Sequence, residues 1–311
     1  MNPIVSVVMP TYNHARYLSE SIPSVMNQSF AEWELIIIDN FSEDDTETIV
    51  REFERQDPRI RYFQYSNKGI IAASRNYGIK QAQGDFVAFL DSDDIWLPAK
   101  LTDQMSVFET KEKTGLVYSK AVGFKDDGKL LHEMPKKVIS GKVFFRLLKD
   151  NFIGCSTVIM RKSIFDEIGH FDVSPELVSV EDYELWMRCA RDHSIFGVDK
   201  VLVKYRIHSQ AVSSSREVEA GLRPLHALEN VFKKLHVDPK IQKSVKSRWY
   251  TSLARKALYE DRFDDFKELS ERALRLKYSG VALLQRGAVS LLGEKLLRML
   301  AARKKKKRPK E

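Results

Sequence analysis

The sequence contains little cysteine. Cys155 and Cys189 are the only two cysteines among 311 residues; they lie far apart, and no Cys-x-x-Cys pair occurs. Neither a zinc knot nor a disulfide framework is therefore indicated. We expect the chain to work in a reduced, cytoplasmic compartment.

Long apolar runs are also missing. No stretch approaches the roughly 20 apolar residues that a membrane-spanning helix needs. Residues 1–13 lack both a charged leader and a long apolar segment. From these features we expect neither a membrane span nor a secretion signal.

The basic charge is concentrated at one end of the chain. The formal net charge is +8, and residues 303–311 hold seven cations and one acid, which leaves +2 for the remainder. This tail has no interleaved aromatic residues, so stacking on bases is not supported. The sequence therefore predicts no nucleic-acid partner.

Apolar runs and helical patterns alternate through the first half of the sequence. Because strand, helix and strand repeat in order, we expect a mostly parallel sheet flanked by helices, an α/β fold of Rossmann-like type. The predicted strands are residues 4–9, 35–38, 60–65, 86–90 and 115–121. The predicted helices are residues 16–27, 46–55, 70–82 and 98–108.

The pattern changes near residue 216, which predicts one domain over residues 1–215 and a helical appendage over 216–311. Residues 217–235, 240–259 and 263–276 have helical patterns. Residues 281–302 predict an amphipathic helix, and a run of cations follows it directly. One interpretation is attachment to an anionic membrane surface through residues 281–308. The other is a helix packed on the domain and followed by a solvated tail.

Polar residues and carboxylates follow three predicted strands, in segments 10–13, 39–40 and 91–94. In sheets of this type, ligands bind at the carboxyl ends of the strands. A single Asp there is equally consistent with a helix cap or a turn. Three carboxylates within residues 91–94 repel each other, so a bound cation or ligand explains them better. The triplet Asp91-Ser92-Asp93 predicts a site for Mg²⁺ or Mn²⁺.

These segments together resemble glycosyltransferase family 2. The resemblance rests on residues 5–13 (VSVVMPTYN), 38–46 (IDNFSEDDT), 69–78 (GIIAASRNYG) and 89–94 (FLDSDD), in the family's order and spacing. It covers residues 4–120 well and continues more weakly to about residue 214. It implies a GT-A fold, a nucleotide-sugar donor and inversion at the anomeric carbon. One departure is Phe41, where the family usually has a small residue, often Gly.

The resemblance also implies roles for individual residues. Pro10, Thr11 and Tyr12 are expected to line the base pocket, and Asp39 to accept a hydrogen bond from the base, often uracil. Arg75 is expected near the nucleotide, where its planar donor fork suits phosphate. Its alternative role is that of an ordinary solvated arginine. Asp91 is expected to contact ribose or metal, and Asp93 to ligate the metal.

The second half of the chain supplies the acceptor side of the resemblance. In residues 179–188 (SVEDYELWMR), Asp182 matches the family's general base and Glu181 a residue that holds acceptor or sugar. Both carboxylates would also suit an ordinary helix start. His208 matches a position where some members use His as a metal ligand. Asp94 and Trp96 are further candidates for contact with acceptor or sugar.

Taken together, the sequence predicts an inverting, metal-dependent glycosyltransferase. Its expected donor is a nucleotide diphosphate sugar, with UDP favoured. The expected acceptor is a hydroxyl in cell-surface polysaccharide or lipid-linked glycan synthesis at the cytoplasmic face of a membrane. The alternatives are a sugar-phosphate nucleotidyltransferase, whose Gly-rich signature is missing after the first strand, and a non-catalytic nucleotide- or polyanion-binding protein.

Overall fold

The structure is a computed structural model that describes residues 3–111, 113–208 and 218–276. The chain divides into two units, Met1–Ser215 and Arg216–Glu311. The roles predicted for these two units remain predictions. The predicted amphipathic helix 281–302 and the basic tail lie outside the described residues.

The apolar runs of the first unit form buried strands, because extended β-branched segments can bury both faces when helices cover the sheet. All seven residues of the first strand and of the second are buried. The strands are β1 (Val5–Thr11), β2 (Trp33–Asp39), β3 (Ile60–Gln64), β4 (Phe86–Phe89), β5 (Ile95–Trp96), β6 (Thr114–Phe124), β7 (Leu130–Met134), β8 (Ile159–Arg161) and β9 (Ser194–Arg206).

Helices connect these strands. They are α1 (Ala15–Met26), α2 (Thr46–Gln56), α3 (Ile71–Gln81), α4 (Lys100–Thr110), α5 (Phe144–Leu147), α6 (Ile164–Ile168) and α7 (Glu181–Asp192). Two short 3-10 turns, Cys155–Thr157 and Pro175–Leu177, precede β8 and α7.

The strands form one nine-stranded sheet in the order β3-β2-β1-β4-β8-β6-β9-β5. Strand β7 lies off this order and pairs with the C-terminal residues of β6, from Ala121 to Phe124. Six strands run in the same direction, and β5, β7 and β8 run against them. The predicted mostly parallel α/β sheet is therefore confirmed. Since β1, β2 and β4 are neighbours and parallel, the segments that follow them meet at one edge of the sheet.

Helix α3 packs closely on the sheet at Gly78. A Cβ atom at this position would lie 2.4 Å from Cγ1 of Val8 in β1. Such a distance is far below van der Waals contact, so a larger residue would push the helix away from the strand. Gly78 therefore fixes the distance between α3 and the sheet.

The second unit contains α8 (Val218–Lys234), α9 (Pro239–Tyr259) and α10 (Phe263–Arg275). Asp238 caps α9, because its carboxylate accepts a hydrogen bond of 2.6 Å from the backbone N–H of Lys240. Helices α9 and α10 bury Ala254, Ala257 and Leu269 against each other. Within the described ranges, no helix combines the length and the apolar character that crossing a bilayer requires.

Lys100, at the start of α4, is fully buried. Its Nζ donates to Oε1 of Gln104 at 2.7 Å and lies 4.0 Å from the ring centroid of Trp96. No carboxylate pairs with it among the described residues. Burial therefore lowers the pKa of the Lys100 ammonium well below its ordinary value.

We expect Lys100→Met to raise the free energy of unfolding by about 2 kcal/mol near neutral pH. The folded protein holds this amine with a lowered pKa, so the native state loses stability as pH falls below the pKa of the unfolded chain. The gain from Met should therefore grow between about pH 9 and pH 6. Urea unfolding of both proteins at the two pH values measures the difference. A gain that does not change with pH would contradict this account.

Candidate active site

The first part of the site is the turn that follows β1. Thr11 is buried and pairs in register with Asp39 of β2, whereas the side chain of Tyr12 is 48% exposed. The backbone N–H of Asn13 donates to Oγ of Ser42 at 2.8 Å. This bond connects the loop after β1 with the loop after β2. Because about half of Tyr12 is exposed, its ring is accessible at the edge of the sheet.

Asp39 lies at the end of β2 and exposes no surface. Its carboxylate accepts hydrogen bonds from the backbone N–H of Ser42 at 3.0 Å, the hydroxyl of Ser42 at 2.5 Å and the hydroxyl of Tyr62 at 2.6 Å. Burial and the Asp39 charge raise the pKa of Tyr62. The Ser42 N–H also lies 3.2 Å from the second carboxylate oxygen, so the about four hydrogen bonds that a carboxylate accepts are all made within the chain. A base would have to replace one of them, and the predicted bond to a base stays a prediction.

Phe41 adopts a left-handed backbone conformation, with φ of 57°, and its side chain is 53% exposed. A residue with a Cβ atom is disfavoured in this region by about 1 kcal/mol relative to Gly. The turn therefore keeps the geometry that suits Gly although the residue is Phe. This conformation explains physically why a small residue is usual at this position in the resembling family.

Arg75 of α3 connects the two halves of the site. It is 3% exposed, its Nη2 donates to Oδ1 of Asp91 at 2.7 Å, and its Nη1 donates to Oε1 of Glu181 at 2.5 Å. The sequence does not predict this pairing. Asp91 follows β4, whereas Glu181 begins α7. The Arg75 guanidinium thus contacts one residue of the predicted donor side and one residue of the predicted acceptor side.

The second carboxylate oxygen of Glu181 is buried and has no hydrogen-bond partner among the described residues. Glu181 also lines a narrow gap between the start of α3 and the segment before α7, together with the apolar residues Ile70, Ile71, Leu177 and Val178. The gap has no room for a water molecule in this structure. A buried acceptor that lacks a partner is a group that a ligand hydroxyl can satisfy.

Asp182 lies in the first turn of α7, next to Glu181. Burial, and next the charge of Glu181, raise the pKa of Asp182 to about 7, while Arg75 acts in the opposite direction. Its Oδ1 accepts a hydrogen bond of 2.6 Å from the backbone N–H of Tyr183. A carboxylate with a pKa near neutrality is suited to exchange a proton with a substrate at physiological pH.

Asp93 and His208 lie together, with Nε2 of His208 3.0 Å from Oδ2 of Asp93. Asp91, the third predicted ligand, turns toward Arg75 instead. Across the described ranges, no three His, Cys, Asp or Glu side chains form a ready metal site. One carboxylate and one imidazole nevertheless suit Mn²⁺, which accepts further oxygens from phosphate and water. The assignment of Asp91, Asp93 and His208 as metal ligands stays a prediction; of these three residues, Asp93 and His208 contact each other.

The structure corrects the expected placement of Asp94 and Trp96. Asp94 is 1% exposed and Trp96 is 2% exposed, so neither offers a surface to acceptor or sugar. The carboxylate of Asp94 accepts from the hydroxyl of Ser156 at 2.6 Å and from the backbone N–H of Arg206 at 2.9 Å. Burial and the charge of Asp93 raise the pKa of Asp94. The indole N–H of Trp96 donates to the carbonyl of Ser156 at 2.9 Å. Both side chains support the site from its interior.

Arg206 is a site residue that sequence reasoning missed. Its Nε donates to the carbonyl of Asp93 at 2.7 Å, and its two terminal nitrogens contact Glu20 and Asp126 at 3.0 Å each. It thereby fixes the turn that carries Asp93 and, through β9, the position of His208. Its place two residues before His208 was the one signal in the sequence.

Ser156 and His14 were missed as well. The Ser156 hydroxyl accepts from the backbone N–H of Asp91 at 3.1 Å, and Nδ1 of His14 lies 2.7 Å from the Ser92 hydroxyl. Both contacts hold the turn after β4: His14 follows β1 and Ser156 precedes β8, and these two strands pair with β4. No local motif marks Ser156 or His14, because their partners are distant in the sequence.

Comparison with known proteins identifies the family of the chain. The sequence model described as "Glycosyl transferase family 2" matches residues 6–169. The Escherichia coli protein WfgD, named as a UDP-Glc:alpha-D-GlcNAc-diphosphoundecaprenol beta-1,3-glucosyltransferase, is 34% identical over 218 residues, which cover 68% of this chain and 81% of WfgD.

Solved structures show the same fold at low sequence identity. S. aureus TarS 1-349 in complex with UDP-GlcNAc superimposes with a TM-score of 0.63 and 20% identity, covering 100% of this chain and 93% of that structure. The Pyrobaculum calidifontis mannosyltransferase PcManGT in complex with GDP-Man and Mn²⁺ gives 0.58 and 16%, covering 97% and 84%. The predicted GT-A fold is confirmed. The prediction of a glycosyltransferase, and not a sugar-phosphate nucleotidyltransferase, is confirmed as well. The chain belongs to glycosyl transferase family 2 and is a glycosyltransferase.

Proposed function

We propose that the chain transfers a sugar, with inversion, from a nucleotide diphosphate sugar to a hydroxyl of a lipid-linked or cell-surface glycan. The name of WfgD specifies a UDP-sugar donor and a diphosphoundecaprenol acceptor, and TarS binds UDP-GlcNAc. These relatives support UDP as the carrier.

One observation carries the proposal. Arg75 contacts Asp91 of the donor side and Glu181, which adjoins Asp182. The residue expected to touch the donor and the residue expected to act as base are therefore held around one buried cation. A transferase needs donor and acceptor groups at a fixed distance, and rigid side chains provide it.

In the proposed reaction, the acceptor oxygen attacks the anomeric carbon while Asp182 accepts the hydroxyl proton. The bond between the anomeric carbon and the diphosphate oxygen breaks, and the nucleoside diphosphate leaves with that electron pair. One displacement inverts the configuration, through a transition state with oxocarbenium character. The unpartnered oxygen of Glu181 accepts a hydrogen bond from a hydroxyl of the sugar or the acceptor.

On the donor side, Pro10, Thr11 and the exposed ring of Tyr12 form one wall for the base. Asp39 accepts a hydrogen bond from the base, and Asp91 one from the ribose. Asp93 and His208 would hold a divalent metal, Mn²⁺ or Mg²⁺. When bound, the metal neutralises the charge that develops on the leaving diphosphate. The Mn²⁺ bound to PcManGT supports the proposal of a divalent metal.

We also propose that the enzyme works at the cytoplasmic face of a membrane, with residues 281–308 at an anionic surface. The support is the sequence pattern of these residues together with the lipid-linked acceptor in the name of WfgD.

The test is a panel of UDP-, GDP- and dTDP-sugars with and without Mn²⁺, read out by thermal shift and by donor hydrolysis. We expect one nucleotide to stabilise the wild type in a metal-dependent manner. Asp93→Ala should lose this stabilisation, because it removes the carboxylate of the proposed metal pair. Glu109→Ala, which removes an exposed acid of α4, is the control and should behave as wild type. If no nucleotide stabilises the wild type, the proposed donor site is wrong.

A further inference from the structure

Charge is divided unequally between the two units. Residues 1–215 contain 26 Lys and Arg against 31 Asp and Glu, a net −5, whereas residues 216–311 contain 25 against 12, a net +13. The terminal basic tail accounts for only +6 of the second value. The helical unit is therefore basic in its own right, and its attraction for anions extends beyond the tail.

Helix α9 contributes most of this excess among the described helices of the unit. Its 21 residues include six Lys or Arg and no acidic residue. Lys240, Arg248 and Arg255 are exposed and are spaced by eight and seven residues, close to two helical turns each. They therefore lie along one side of the helix. We call this side the α9 face; it consists of Lys240, Ser244, Arg248, Thr251 and Arg255.

The cations of the α9 face are not neutralised by nearby acids. None of its three cations forms an ion pair within the described part of the chain. Three arginines at the neighbouring helix α10 differ: Arg262, which directly precedes the helix, and Arg272 and Arg275 within it lie 3.5 Å or less from carboxylates. These three arginines are therefore paired, whereas the three cations of the α9 face are not.

We propose that the α9 face binds the headgroup phosphates of an anionic lipid bilayer. The three cations span about 22 Å along a straight helix, at about 1.5 Å per residue, and so present a line of charge to a flat surface. The residues between them on this face, Ser244 and Thr251, are small hydroxyl residues, which permit close approach of phosphates. The α9 face contains no aromatic side chain, so base stacking does not favour a nucleic acid.

This inference rests on the proposed function, because a lipid-linked acceptor requires the enzyme to work at a bilayer. It adds a second, folded contact to the tail. Each Lys or Arg near an anionic surface strengthens binding about fivefold, so three cations contribute about a hundredfold. The attraction decreases with salt, since the Debye length is about 8 Å at physiological ionic strength.

The test is sedimentation of the full-length chain with vesicles that contain phosphatidylglycerol. We expect the triple variant Lys240→Gln, Arg248→Gln and Arg255→Gln to bind about a hundredfold more weakly than wild type. The matched control is Arg262→Gln, Arg272→Gln and Arg275→Gln, which changes the net charge equally but removes paired cations. Circular dichroism confirms that both variants keep their helices.

Three outcomes would overturn the inference. The first is unchanged vesicle binding of the α9 variant, which assigns binding to the tail. The second is an equal loss in both variants, which shows a response to net charge alone. The third is wild-type binding to polyphosphate without binding to vesicles, which identifies a soluble polyanion as the partner. Donor hydrolysis, measured without vesicles, should be the same in all variants. A chain that binds vesicles through α9 but hydrolyses no donor would therefore refute the proposed function and not this inference.

Discussion

Asp182→Asn is expected to reduce kcat of glycosyl transfer about 1,000-fold, because the amide cannot accept the proton of the acceptor hydroxyl. Binding of the donor should change little, since Asp182 does not lie among the residues proposed to hold the nucleotide. Initial rates with saturating donor measure kcat, and a thermal shift with the donor measures its binding. Asp192→Asn, an exposed carboxylate near the other end of α7, is the matched control.

The pH dependence of the wild type tests the same residue. Its pKa of about 7 implies that the active, unprotonated form disappears as pH falls through that value. We therefore expect kcat/KM to decrease about tenfold per pH unit below about pH 7 and to level off above it. A profile that stays flat to about pH 5, with the Asn variant still active, would show that another group serves as the base.

The second large effect is expected at Arg75. Arg75→Gln leaves the carboxylates of Asp91 and Glu181 without their shared cation. Glu181 is 5% exposed, so an uncompensated charge there costs about 3 kcal/mol of unfolding free energy. Asp91 is 28% exposed and contributes less, because solvent screens it. Urea unfolding measures the loss.

Arg75 also lowers the pKa of Asp182, so its removal should move the pH profile of kcat/KM toward higher pH. The control is Arg51→Gln on α2, an exposed arginine whose ion pairs with Glu47 and Glu54 should contribute at most about 0.5 kcal/mol. If Arg75→Gln and Arg51→Gln destabilise equally, the buried bridge is not what holds the two halves together. A pH profile that does not move would show that Arg75 acts on Asp182 through position and not through charge.

The first four strands and their helices could be predicted because each is a local pattern. Most of the strand segments before residue 90 are apolar runs bounded by turns, so each can be recognised without knowing which strand it pairs with. Strand β9 could not be predicted in this way, since Asp199 and Lys200 interrupt its apolar residues. Its 13 residues remain extended because they pair with β6 along most of its length, with irregular register. Pairing between segments that are distant in the sequence produces no local pattern from which it could be predicted.

The same distinction applies to the site. Asp39, Asp91 and Asp93 could be located because they directly follow strands. The direction of a side chain within a turn is not local information, however, and Asp94 points inward to Ser156 and Arg206 although its neighbour Asp93 contacts His208. The bridge from Arg75 to Glu181 joins residues that are 106 positions apart. Only the folded chain shows it.

The close contact of Gly78 with Val8 has a consequence for how this enzyme can diversify. Gly78 lies three residues after Arg75, nearly one helical turn away, so the packing of α3 on β1 also sets the position of the guanidinium. A mutation that enlarges residue 78 would displace the cation shared by both halves of the site. Natural variation in sugar preference is therefore expected to accumulate in the segment before α7, beside Leu177 and Val178. Changes there reshape the gap that Glu181 lines and leave the contact between Gly78 and Val8 as it is.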